Sequence, residues 1–177
     1  MDRGRTPLGL LALLTIAALP ACAGAGGDAR PTTAMTDAHD EEDRAAVGAT
    51  LDALHEAAAR ADGARYFALF EPDAVFIGTD ASERWSLAEF RAYAAPHFDA
   101  GRGWTYEPVE RHVRLDAAGG VAWFDERLSN AKYGETRGSG VCTRGDDGRW
   151  RIAHYVLSFA VPNDAAGDVV DAIKRAR

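Results

Sequence analysis

The chain is short of the residues on which metal, phosphate and redox chemistry depend. It carries two cysteines, Cys22 and Cys142, and five histidines among 177 residues. No pair of His, Cys, Asp or Glu stands at a ligand spacing such as His-x-x-x-His, so no metal centre is expected. No glycine-rich loop follows a strand pattern, so no phosphate cradle and no cofactor is expected either. Ser158 has no Gly-x-Ser-x-Gly context, which excludes a nucleophile of that kind. Basic residues are outnumbered, 20 Lys and Arg against 27 Asp and Glu, for a formal net charge of -7. No basic stripe interleaves with aromatics, so nucleic acid is not an expected partner. The longest apolar run, Leu8 to Leu19, is shorter than the roughly 20 residues that span a bilayer. No internal repeat is present at solenoid spacing.

What is present is the composition of one globular domain, 47% hydrophobic and 27% charged, long enough for a full core. Ahead of it stands an address. Two arginines in Met1–Arg5 precede the apolar run, and small residues follow, as in a secretory signal peptide. Leu19-Pro20-Ala21-Cys22 resembles the bacterial lipobox, in which the cysteine is lipidated and becomes the new N-terminus. Ordinary signal cleavage after Ala23 is the alternative. Residues 1–22 are thus assigned as signal peptide and 23–36 as a Gly/Ala/Pro/Thr-rich tether. Two or more acyl chains on Cys22 would give a stable membrane anchor where one chain would not. Cys142 then remains as a free thiol, read as a small buried hydrophobe.

The domain, 37–177, opens with a helix over Asp37 to Ala61. Asp37 and Asp40 are its candidate caps. Val47, Leu51, Leu54 and Ala58 form its apolar stripe, with His55 read as a solvated residue beside it. A short helix over Ala64–Phe70 ends at Pro72-Asp73, and Ala74–Ile77 is a short strand. A loop follows, braced by Asp80 and Glu83. Ser86 and Glu89 have the capping-box pattern at the start of a third helix, which runs to about Pro96. Four strands come next: Thr105–Leu115 with a bulge or edge at Pro108, Val121–Asn130, Arg137–Arg144, and one long strand over Trp150–Asn163. A Gly134 turn and an Asp-Gly hairpin at 145–148 separate the last three. A short helix with Val169, Val170 and Ile173 ends the chain. Helices gathered ahead of antiparallel strands define an α+β domain, with the helices packed on one face of a strongly curved sheet.

Two motifs in that order resemble the SnoaL-like branch of the nuclear transport factor 2-like superfamily. The first is Ile77-Gly78-Thr79-Asp80 with Glu83 and Trp85. The second is Trp150-Arg151-Ile152, His154 and Ser158 on the last strand. The resemblance covers about Asp40 to Pro162 and implies a conical α+β barrel with a pocket, often dimeric through its open sheet. Members include isomerases, dehydratases, cyclases, binders and pure oligomerisation modules, so the fold does not choose a function. Related sequences often carry a second histidine two places after the first; here that place is Val156, which removes a two-histidine site on that strand.

Alternation puts Trp150, Ile152, His154, Val156 and Ser158 on one face of the last strand. His154 is then the candidate acid or base, against the alternative of a hydrogen-bonded core histidine. In Val121–Asn130, Trp123, Asp125 and Arg127 share one face, with Ala122, Phe124, Glu126 and Leu128 opposite. Asp125 is the candidate carboxylate partner of His154, against a plain Asp125–Arg127 pair. Tyr66, Trp85, Tyr93, Trp123 and Ser158 are the candidate pocket residues, with Trp104 beside them. Three functions stay open: an envelope-anchored pocket for a small apolar or aromatic molecule, a cofactor-free isomerase or dehydratase using His154 and Asp125, and a structural homodimerisation module.

Overall fold

The computed structural model describes residues 33–176, with side chains from Ala38 onward. The signal peptide, Cys22 and most of the tether lie outside the described residues. Among the described residues, four α-helices, α1 (Thr33–Ala59), α2 (Gly63–Ala68), α3 (Leu87–Asp99) and α4 (Ala166–Ala176), accompany six strands. The strands are β1 (Phe70–Ile77), β2 (Arg84–Ser86), β3 (Glu107–Leu115), β4 (Val121–Asn130), β5 (Gly134–Arg144) and β6 (Trp150–Phe159). They form one sheet in the order β2-β1-β6-β5-β4-β3. Only β1 and β6 run parallel; the other pairs are antiparallel. Helices α1 and α3 lie on one face, α1 against β3 and β6 and α3 against β1. This is the expected α+β cone, with a mainly antiparallel sheet.

Helix α1 forms as its stripe dictates: Val47, Leu51, Leu54 and Ala58 are all buried against the sheet. Each such aliphatic side chain contributes roughly 1.5–3 kcal/mol when fully removed from water. The helix starts at Thr33, inside the expected tether, so Asp40 is not its cap; it pairs instead with Arg44 one turn on, at 3.3 Å. Asp62 caps α2 by accepting from Arg65 N at 2.9 Å. The capping box of α3 is present, with Ser86 N donating to Glu89 Oε2 at 2.8 Å. Pro96 lies inside α3 and does not end it.

Three departures from the sequence reading concern strands. β1 begins at Phe70, where a helix and a proline stop were expected. It tolerates Pro72 because the β1–β6 ladder breaks between Phe70 and Val75, so the missing N–H costs no ladder bond. The expected loop at 84–86 is an edge strand. It is closed onto β1 by Gly78 N donating to the Glu83 carbonyl at 2.8 Å. β6 stops at Phe159, and Asn163–Ala165 is a 3-10 turn leading into α4.

The departure that matters most is a bulge. Val141 pairs with His154 but Cys142 pairs with Ile152, so Ala153 is an extra residue in β6. A bulge reverses the alternation of faces beyond it. Trp150, Ile152, Tyr155 and Leu157 therefore share the helix-covered face, and His154, Val156 and Ser158 lie on the other. In β4 no bulge intervenes, and the expected alternation holds: Ala122, Phe124, Glu126 and Leu128 are buried. On β5, Gly138 and Gly140 face inward, and a Cβ at Gly140 would overlap the His154 carbonyl. The missing side chains give Tyr155 and Phe124 their space.

Candidate functional site

Among the described residues, the inner face of the sheet carries one carboxylate with no exposure at all, Glu126. Phe124 and Leu128 flank it on the same face of β4, so strand period alone drives it into the core. It is held there by three other elements. His55 Nε2, from α1, lies 3.0 Å from Glu126 Oε1. Tyr155 Oη, from β6, donates to the same oxygen at 3.4 Å. Arg111, from β3, donates to Oε2 through Nε at 2.8 Å, with Nη2 at 2.7 Å. Arg111 Nη1 continues to the Gly48 carbonyl at 3.0 Å and to Asp52 Oδ1 at 2.8 Å, tying β3 to α1.

These contacts decide the ionisation. Burial pushes the Glu126 carboxyl up, but the His55 bond and the His55 and Arg111 charges outweigh it and hold the group below the usual carboxylate range. An ionised carboxylate only accepts, so the His55 nitrogen facing it carries the hydrogen, and Nδ1 is the remaining ring nitrogen. The Tyr155 phenol is pushed well above its usual value by burial and by the nearby Glu126 charge, so it is a hydrogen-bond donor at neutral pH.

A cleft leads to this network. Its outer part is open to solvent, about 230 Å³, and is walled by Phe76, Trp85, Phe90, Tyr93, Trp104 and Tyr106, with Glu83 and His97 at its rim. Phe76, Trp104, Tyr106 and Leu157 also line a narrow inner part, which adds His55, Tyr66 and Tyr155. That inner part is about 20 Å³, room for one water molecule. The aromatic wall is packed: Phe76 stacks on Phe90 at 3.9 Å and Trp85 on Tyr93 at 4.8 Å between ring centres. Among the described residues, no group of three or more His, Cys, Asp or Glu is placed to hold a metal ion.

The structure divides the sequence candidates. Tyr66, Trp85 and Tyr93 line the cleft, and Trp104 joins them. Trp123 is on the outer face and 48% exposed; Ser158 is exposed beside the Arg137 carbonyl. His154 also lies on the outer face, because of the bulge at Ala153. Asp125 shares that face but pairs with His112 and Ser139, with β5 between it and β6. Two strand spacings, about 10 Å, separate the two backbones. The expected His154–Asp125 acid–base pair therefore does not form. The residues the sequence reading passed over are His55, Glu126, Arg111 and Tyr155. His55 stands four residues after Leu51, on the buried stripe itself, and Glu126 alternates with buried Phe124 and Leu128. Those two spacings were the available signal.

A helix-lined cone with its cleft entering beside α3 is the architecture of the nuclear transport factor 2-like proteins. The model of the SnoaL-like domain family matches residues 47–162, and the chain belongs to that family. Among solved structures, it is similar to a domain of unknown function with a cystatin-like fold from Nostoc punctiforme. That match has 19% identity and a TM-score of 0.59, over 73% of this chain and 85% of that one. It is also similar to a candidate dehydratase of the nuclear transport factor 2-like family from Streptomyces avermitilis (16% identity, TM-score 0.59, 70% and 99% covered). A ketosteroid isomerase-like protein from Erwinia carotovora atroseptica matches at 20% identity and a TM-score of 0.51, with 67% and 96% covered. At these identities the likeness is one of fold. No curated protein matches the chain.

Proposed function

We propose that this SnoaL-like domain binds a small apolar or aromatic molecule in the cleft between α3 and the sheet. The observation that carries this reading is the continuous aromatic wall, from Trp85 and Tyr93 at the mouth to Tyr66 and Tyr155 inside. Such a wall buries a flat ligand with little loss of side-chain freedom, since the rings already pack on one another. The domain is held at the bacterial cell envelope through lipid on Cys22. A second copy pairs with it through the outer sheet face, where Trp123 and Val121 are exposed. The test is a titration of the full-length chain with flat aromatic probes, read by the fluorescence of Trp85 and Trp104. Quenching that disappears in Trp85→Leu supports the pocket; unchanged fluorescence across the series sinks it. Cys22→Ala should release the protein from the membrane fraction.

A second reading is favoured by one contact, His55 Nε2 to Glu126 Oε1 at 3.0 Å. A carboxylate that fixes the histidine tautomer leaves Nδ1 to accept a proton in the neutral ring, which suits a cofactor-free isomerase or dehydratase. His55→Gln that keeps ligand affinity but abolishes turnover of a bound substrate would support catalysis. Full turnover by that variant would leave His55 a structural residue.

A further inference from the structure

The cleft has a sign as well as a shape. Among the described residues that line its outer part, none is Lys or Arg, and Glu83 supplies a carboxylate. That carboxylate is built in rather than loose. Glu83 Oε2 accepts from Asp80 N at 3.1 Å, and the space it fills exists because residue 78 is glycine: a Cβ there would overlap Oε2. The rings of Trp85, Trp104, Tyr93, Tyr106 and Tyr133 line the same outer part. Aromatic faces carry the negative lobe of the ring quadrupole. Burial first, then the fields of Tyr133, Glu83 and Tyr93, push the Tyr106 phenol up.

One cation already uses a ring at this rim. Lys132 Nζ sits 4.6 Å from the centre of the Tyr133 ring and donates to its hydroxyl at 2.9 Å. That ammonium is exposed, so water and salt screen its effect on the cleft. A neutral apolar guest would be served by the rings alone; it has no use for a fixed carboxylate at the mouth. A carboxylate or phosphate guest would meet Glu83 with no lining guanidinium or ammonium to offset it.

We propose that the ligand of this cleft is an organic cation, a small aromatic or alkyl amine whose ammonium group lies against Trp85 and the tyrosines and faces Glu83. This rests on the reading of the cleft as the ligand pocket and narrows its ligand class.

The test uses a matched pair on the full-length chain: benzyltrimethylammonium and its neutral carbon isostere neopentylbenzene, titrated against tryptophan fluorescence. The cation should bind about tenfold tighter than the isostere. Glu83→Gln keeps an acceptor for Asp80 N and removes only the charge. It should weaken the cation about fivefold and leave the isostere unchanged. Equal or tighter binding of the isostere overturns the cation assignment while the pocket reading stands. Equal weakening of both probes by Glu83→Gln overturns it too, by marking Glu83 as structural. Binding of neither probe sinks this proposal and, with the aromatic series above, the pocket itself.

Discussion

His55 Nε2 meets Glu126 Oε1 at 3.0 Å across 71 residues of chain. The side chain of His55 is 10% exposed and that of Glu126 not at all. This contact joins the first helix to the middle of the sheet at the inner end of the cleft. A charge so deep is costly unless paired, and Arg111 supplies the pairing. The network is therefore a structural joint, and that role has tests of its own.

Removing the Glu126 charge should expose the joint. Glu126→Gln leaves the Arg111 guanidinium largely buried, with its Nε and Nη2 facing a neutral amide. The expected loss is roughly 3–5 kcal/mol in urea unfolding. Glu126→Gln combined with Arg111→Met should recover part of it, because both desolvated charges are then gone. A loss below about 1 kcal/mol for the single change would mean that the pair adds no more than a surface bridge.

Acid should act through the same group. Glu126 titrates below its unfolded value, because the His55 bond and the His55 and Arg111 charges outweigh the cost of burial. Its contribution is thus fully present above the unfolded carboxylate pKa of about 4.3 and is lost as pH falls through the lower folded value. Stability against urea should decline steeply below about pH 4 in the native protein and less steeply in Glu126→Gln. Parallel acid limbs in the two proteins would contradict the assignment.

Gly138 holds the space that Tyr155 and Glu126 use. A Cβ at this position would overlap the Tyr155 hydroxyl and stand 3.2 Å from Glu126 Oε1. Gly138→Ala should cost about 1–3 kcal/mol by overpacking. Tyr155→Phe removes the oxygen that would be struck, so it should reduce that cost in the double variant. Additive effects in a double-mutant cycle would show that the two positions do not compete for one space.

Cys142 is a measure of core integrity. Burial first, and the Glu126 charge second, push its thiol up to about 12. At pH 8 the folded protein should therefore react with a thiol reagent only through unfolding, with a rate that rises across the urea transition. Fast reaction of the native state would place the thiol nearer solvent than its complete burial allows.

Much of this protein was legible in its sequence because local signals and burial agreed. The stripe Val47, Leu51, Leu54, Ala58 specified α1 and its buried face. The Ser86–Glu89 box placed the start of α3, and strict alternation set Glu126 opposite Asp125 in β4 without choosing which of the two faces inward. Large rings near helix–strand junctions have few places to go but the core or a cleft, and Tyr66, Trp85 and Tyr93 line the cleft. Composition indicated a globular chain with an acidic balance, and the order of elements gave the α+β class.

Which polar residues meet was decided only by the tertiary structure. One extra residue at Ala153 turns His154 to the outer face and brings Tyr155 inside, and a bulge leaves no local signature that alternation can read. The ladder break that admits Pro72 into β1 is of the same kind. His55, Arg111, Glu126 and Tyr155 come from four elements, and each alone has an ordinary exposed or aromatic-core reading. Their meeting depends on strand register and helix placement, which are set by the packing of the whole core. The sequence by itself determined most of the elements and the alternation within the regular ones. The long-range balance between burying Glu126 and neutralising it, which makes the site, exists only once α1, β3, β4 and β6 are assembled.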